Sequence, residues 1–117
     1  MLSGTIPGKV YLACGSTDMR KSIDGLAAMV SVAFDLDVFS DSLFVFCNRG
    51  RNKLKILYWD TNGFWLYYRR LDKGRFAWPK SGEKTIEVTR RQLGWLLDGL
   101  SLEQSHAHRE VYAQKIA

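Results

Sequence analysis

The sequence predicts an α+β domain, an antiparallel β-meander sheet of four to five strands with one helix packed across it and a short C-terminal helix. Three observations carry that reading. Between Leu43 and Pro79, apolar and aromatic runs are separated by the turn signals Asn48–Asn52 (NRGRN), Asp60–Gly63 (DTNG) and Asp72–Gly74 (DKG). Asn and Gly supply the positive φ that hairpin loops need, and connections this short force antiparallel neighbours. Upstream, Met19, Ile23, Leu26, Ala27, Val30 and Phe34 recur at 3.6-residue spacing and form one apolar helical stripe. Downstream, Thr89 and Gln92 make a capping box that opens a second helix.

In chain order, Lys9–Cys14 alternates as a first strand, and Gly15-Ser16-Thr17 breaks it. Thr17 or Asp18 then offers an N-cap for a helix over Asp18–Phe34. Gly25 inside that helix costs up to about 1 kcal/mol against Ala, which predicts a close approach of the helix backbone to a strand. Asp35–Ser42 is an acidic connection, and Leu43–Cys47 is a continuous apolar run that reads as a central strand. In the hairpin Lys53–Leu71, a loop of two or four residues puts Leu54, Ile56, Tyr58, Trp65, Tyr67 and Arg69 on one face. Lys53, Lys55, Leu57, Trp59, Leu66, Tyr68 and Arg70 then share the other, whereas a three-residue loop exchanges partners between the sets. In the first register the Leu54 face suits packing under the helix. Arg75–Trp78 reads as a short fourth strand ended by Pro79, Lys80–Lys84 as a loop, and Thr85–Val88 as an edge strand. The last helix carries Leu93, Leu96 and Leu97 and ends at Gly99. Residues 1–100 form the expected single domain and residues 101–117 a polar tail or marginal helix.

A chain of 117 residues is long enough to bury roughly 65% of its unfolded surface without a disulfide or metal. No run approaches the roughly 20 apolar residues of a membrane span, and the opening residues lack the pattern of a signal peptide. Cys14 and Cys47 form no CxxC pair and suit a reducing, cytoplasmic setting as free thiols.

The net charge of +5 is unevenly spread. Residues 1–48 hold three basic and five acidic side chains, and residues 49–91 hold twelve basic and four acidic. A segregated basic patch fits a polyanion partner, while the plain alternative is a solvated face. The interleaving with Trp and Tyr favours the partner: Lys and Arg neutralise phosphates, and exposed rings stack on bases. The candidate DNA-binding residues are Arg49, Arg51, Lys53, Lys55, Arg69, Arg70, Lys73 and Arg75, with Arg20, Lys21 and Trp59 as additional contacts. For single aromatics such as Trp59, Trp65, Tyr58 and Tyr67, a core position is the simpler expectation.

Enzymatic readings are weaker. Cys14 and Arg20 have the C-x5-R spacing of cysteine phosphatases between a strand and a helix start. A helix N-terminus would lower the thiol pKa and the amides would cradle phosphate. Against it, Asp18 puts a carboxylate in the cradle, neither Pro7 nor Pro79 has an acidic neighbour to serve as general acid, and a meander conflicts with the parallel sheet of those enzymes. His106 and His108 lack a third ligand at useful spacing, so no metal is expected, and no cofactor motif is present. Cys47 in its apolar strand reads as a small core residue.

One pattern runs along most of the chain: Val10-Tyr11-Leu12, Thr17-Asp18-Met19-Arg20-Lys21, Asp24-Gly25-Leu26 and Leu43-Phe44-Val45-Phe46. It continues with Arg49, Lys53-Leu54-Lys55, Leu57-Tyr58-Trp59-Asp60, Gly63-Phe64, Tyr68, Arg70-Leu71, Gly74-Arg75-Phe76, Trp78-Pro79, Gln92-Leu93 and Leu97-Asp98-Gly99. In these residues the chain resembles the small accessory protein of insertion-sequence family sixty-six, the TnpB-type accessory protein that is unrelated to the RNA-guided nuclease of the same nickname. Ser22, where the pattern has Gly, and the bulky Trp95 depart from it. The resemblance covers about residues 8–100 and leaves His106 and His108 outside. It implies a bacterial, element-encoded protein that assists DNA transposition beside a separate transposase and has no catalytic residues of its own. It also accounts for Arg20 as part of the TDMRK motif. The expected partners are DNA and the transposase, with a homodimer as a further form. The competing reading is an interaction module that docks the transposase or itself without touching DNA. A phosphatase using Cys14 and Arg20 is the remote alternative.

Overall fold

A computed structural model describes residues 8–80 and 82–102. Its centre is one five-stranded sheet of β1 (Lys9–Ala13), β2 (Ser42–Cys47), β3 (Lys53–Asp60), β4 (Gly63–Arg70) and β5 (Thr85–Val88). The spatial order is β4-β3-β2-β1-β5. The meander β2-β3-β4 is antiparallel as expected, and β5 pairs antiparallel with β1. The pair β1–β2 is parallel, which makes the sheet mixed. The physical reason is the intervening helix: a chain that crosses a sheet face between two strands returns to the same end and runs the same way.

The hairpin loop has two residues, with Asp60 opposite Gly63 and Tyr58 opposite Trp65. That selects the first of the two registers. The positive φ falls on Thr61 (58°), and at the preceding turn on Arg51 (60°), so Asn62 and Gly50 do not supply it there. In the third turn it is Gly74 that does, at 81°.

The helix starts later than its apolar stripe implies. α1 spans Ile23–Ala28, with Ser22 as N-cap, and winds on as a π-helical stretch over Met29–Ala33. Neither Thr17 nor Asp18 caps it: Thr17 is tied to β2 through its backbone, and the Asp18 carboxylate is taken by Arg20. The Thr17 N–H donates to the Cys47 carbonyl at 2.8 Å, and Asp18 accepts from Arg20. The stripe is nonetheless the buried one: Leu26 and Val30 are fully buried, with Met19, Ile23, Ala27 and Phe34 packed around them. A Cβ added at Gly25 would meet Lys21 side-chain atoms, the nearest at 3.4 Å, so no strand approach explains that glycine.

Both faces of the sheet are covered. α1 lies over Phe44, Phe46 and Leu57. The face carrying Leu54, Ile56 and Tyr58, expected under that helix, is instead closed by Leu93 and Leu96 of α2 (Arg90–Leu97) together with Phe76 and Trp78. Arg75–Trp78 is thus an irregular strap, not a strand. Its anchor is the Trp78 indole N–H, which donates to the Ala13 carbonyl at 2.9 Å. The capping box forms in full: Thr89 Oγ1 accepts from the Gln92 N–H, and the Gln92 side chain accepts from the Thr89 N–H. At the other end Gly99 (φ 80°) donates to Leu96 and Leu100 to Trp95, which closes the helix in a Schellman arrangement. Leu102 packs on this core. His106, His108 and the expected polar tail beyond residue 102 lie outside the described residues.

A candidate polyanion-binding end of the sheet

The strand directions bring one set of loops to each end of the sheet. Where β1, β2 and β4 end and β3 and β5 begin, residues 14–22, 48–52 and 71–84 meet. They are stitched by backbone hydrogen bonds: Gly15 N–H to Pro79, Cys14 N–H to Lys84, Leu71 N–H to Asn52 and Phe76 N–H to Arg51, all between 2.7 and 3.0 Å. Inside the NRGRN turn, the Asn48 side-chain carbonyl accepts from the N–H groups of Asn52 and Lys53, both at 3.0 Å. The turn is therefore held by its two asparagines, and its arginines are left to project.

This end gathers Arg49, Arg51, Lys53, Arg69, Lys73 and Arg75, and among the described residues none of them pairs with a carboxylate. Arg49 and Arg51 line a cleft of about 220 Å³ with Gly15, Ser16 and Lys80. Lys80 was not among the sequence-predicted contacts. It reaches the cleft because Trp78 and the Gly15–Pro79 hydrogen bond fold the strap back, a non-local fact that no local pattern signals. A second, wider groove of about 580 Å³ lies on the α1 face between Arg20, Lys53, Lys55, Met19, Leu66 and Tyr68. Tyr68 is 55% exposed there.

Of the other predicted contacts, Lys55, Arg20 and Arg70 have duties within the fold and Trp59 sits elsewhere. The Lys55 ammonium donates to the carbonyls of Met19 and Lys21 at 2.7 and 2.8 Å, and so holds the TDMRK loop against β3. Arg20 is closed onto Asp18 by contacts of 2.7–3.1 Å, and these hold the exposed Asp18 carboxyl at about 2, below its usual range. Arg70 faces Asp72 at 3.4 Å. Arg69 lies on the opposite face of β4 from Arg70. Lys21 is exposed on the TDMRK loop. Trp59 belongs to the far end of the sheet, edge-on to Phe39 and Phe64 with ring centroids 4.9 Å apart.

Enzymatic features do not assemble. Burial and then Glu83 push the Cys14 thiol up, the reverse of an activated thiolate, and Arg20 is occupied by Asp18. Burial raises Cys47 to about 11, as befits a core thiol. Among the described residues no group of three or more His, Cys, Asp or Glu is placed to hold a metal, and no helix is long and apolar enough to cross a membrane.

Comparison with known proteins adds a family. The model of a family described as IS66 Orf2 like protein matches residues 8–107. The chain is 38% identical over 92 residues to the uncharacterized protein y4hO of Sinorhizobium fredii, covering 79% of this chain and 80% of that protein. A second Sinorhizobium fredii protein, y4jC, also described as uncharacterized, is 27% identical over 92 residues, 79% of each chain. No solved structure gives a significant match.

Proposed function

The chain belongs to the IS66 Orf2-like family of transposition accessory proteins, and from that membership we propose that it assists transposition by holding DNA, without catalysis, on the basic end of its sheet. One observation carries the reading: the cations of the 48–52 turn and the 72–80 strap lie on a backbone-stitched platform and have no carboxylate partners among the described residues. Phosphate contacts of this kind position a protein on a duplex without reading its sequence. Arg51 adds to the argument. A non-glycine residue held in the left-handed region beside a glycine, Gly50, is a local cost that a structural turn would not need.

The test is a titration of labelled duplex at two salt concentrations. The wild type should bind with an affinity that falls steeply with salt. Arg49→Gln with Arg75→Gln should weaken binding at least about tenfold and reduce the salt slope by about two. No binding by the wild type at low salt would hand the basic end to an acidic surface of the transposase, the protein-docking alternative.

A further inference from the structure

Among the described residues β4 is an unpaired edge of eight residues, whereas the opposite edge, β5, has only four. Unpaired edges are templates for another strand, and proteins usually blunt them with Pro, a bulge or short length. β4 has no Pro, and its register with β3 runs unbroken from Arg70 to Gly63. Two of the four exposed large hydrophobic side chains of the described residues, Trp65 and Tyr68, sit on this strand.

The hairpin dictates which backbone groups are free. In a two-residue loop the flanking pair, Asp60 and Gly63, exchanges both ladder bonds. Gly63, Trp65, Tyr67 and Arg69 therefore turn their N–H and C=O groups to β3. Phe64, Leu66, Tyr68 and Arg70 turn theirs outward, to no strand among the described residues.

We propose that β4 pairs antiparallel with β4 of a second copy of this chain, joining two sheets into one of ten strands. The charge pattern of the hairpin selects the occupant. On the face that carries Trp65, its acidic group, Asp60, lies at one end and its cation, Arg69, at the other, so an antiparallel copy brings opposite charges together twice. A two-fold axis perpendicular to the sheet keeps the faces of the two copies aligned. With the axis at Tyr67, the outward groups of Phe64 and Leu66 meet those of the partner's Arg70 and the partner's Tyr68. Trp65 then faces the partner's Arg69. The Trp65 indole N–H already donates to Asp60 Oδ2 at 3.1 Å, so the ring and the carboxylate form one site. A guanidinium would stack on the ring and reach the carboxylate. Arg69 in this arrangement serves the dimer and not the DNA platform.

The 117-residue chain tests this by light-scattering mass at concentrations up to about 100 μM, with far-UV circular dichroism to check that each variant is folded. The wild type should have the dimer mass. Arg69→Glu and Asp60→Arg, each alone, should give folded monomers, and the two together in one chain should restore the dimer. Tyr68→Pro, which removes an outward N–H and no bond to β3, should also be monomeric. A monomeric wild type would overturn the proposal. So would a dimer that survives Arg69→Glu, or a double variant that stays monomeric while folded.

Discussion

The two ends of the sheet are made from the same strands and use their charges in opposite ways. At the end where β3 passes into β4, three carboxylates are used by the fold. Asp41 accepts from the Tyr58 hydroxyl at 3.3 Å and from the Gly8 N–H, Asp37 from the Phe39 N–H, and Asp60 from the Trp65 indole. At the other end the loops are held by main-chain bonds and asparagines, and Arg49, Arg51, Lys53, Lys73, Arg75 and Lys80 make no side-chain hydrogen bond among the described residues. Acidic side chains here build structure, and most of the basic ones are held in reserve. A platform whose shape does not depend on its charges can meet a polyanion without rearranging, and the ordering cost of binding is correspondingly small.

Arg20, Lys84 and Lys55 depart from that pattern, and Lys55 provides the largest expected effect. It is a basic-end residue used in the acidic manner, with two carbonyls on its ammonium and the Tyr68 ring 6.0 Å away. Lys55→Met keeps the stem and removes the donor, which should cost about 1–3 kcal/mol in urea unfolding. Lys53→Met, one step along the same face, should fall within about 0.5 kcal/mol of the wild type. Equal costs for the two would mean that the basic end is also held by its charges, and the contrast between ends would collapse.

The acidic end offers the mirror experiment. Asp41→Ala strips the partner from the partly buried hydroxyl of Tyr58 and should lower stability by about 1 kcal/mol. Duplex affinity should be unchanged, because the site lies across the sheet from the basic platform. A large change in affinity would show that the carboxylates steer the partner as well as support the fold.

How much of this was legible in the sequence follows from range. The Thr89–Gln92 box, the Gly99 stop and the apolar stripe of α1 all rest on contacts within a few residues, and all appear as read, whereas the sequence left two hairpin registers open and the two-residue loop selects one. The start of α1 was misplaced because Asp18 has two local options, capping a helix or binding Arg20, and the Lys55 anchor decides between them from far along the chain. The parallel β1–β2 pair, the face closed by α2 with Phe76 and Trp78, and the entry of Lys80 into the cleft depend on tertiary contacts that no local pattern carries. The basic cluster itself was readable from charge order. Its division into free and occupied members was not, since Lys53 and Lys55 look alike in sequence and differ only in what lies above them.

Arg51 permits the smallest and most discriminating change, because stability and function should move in opposite directions. Its φ of 60° strains any side-chain-bearing residue, and its carbonyl, which accepts from Phe76, is supplied by any amino acid. Arg51→Gly relieves that strain at some cost in unfolded-state entropy, so the variant should be up to about 1 kcal/mol more stable than the wild type. Its duplex affinity should nevertheless drop, with a salt slope about one unit shallower. If Arg51→Gly were both more stable and equally able to bind DNA, the side chain would have no role in binding, and the platform would have to be drawn around Arg49, Lys73, Arg75 and Lys80 without it.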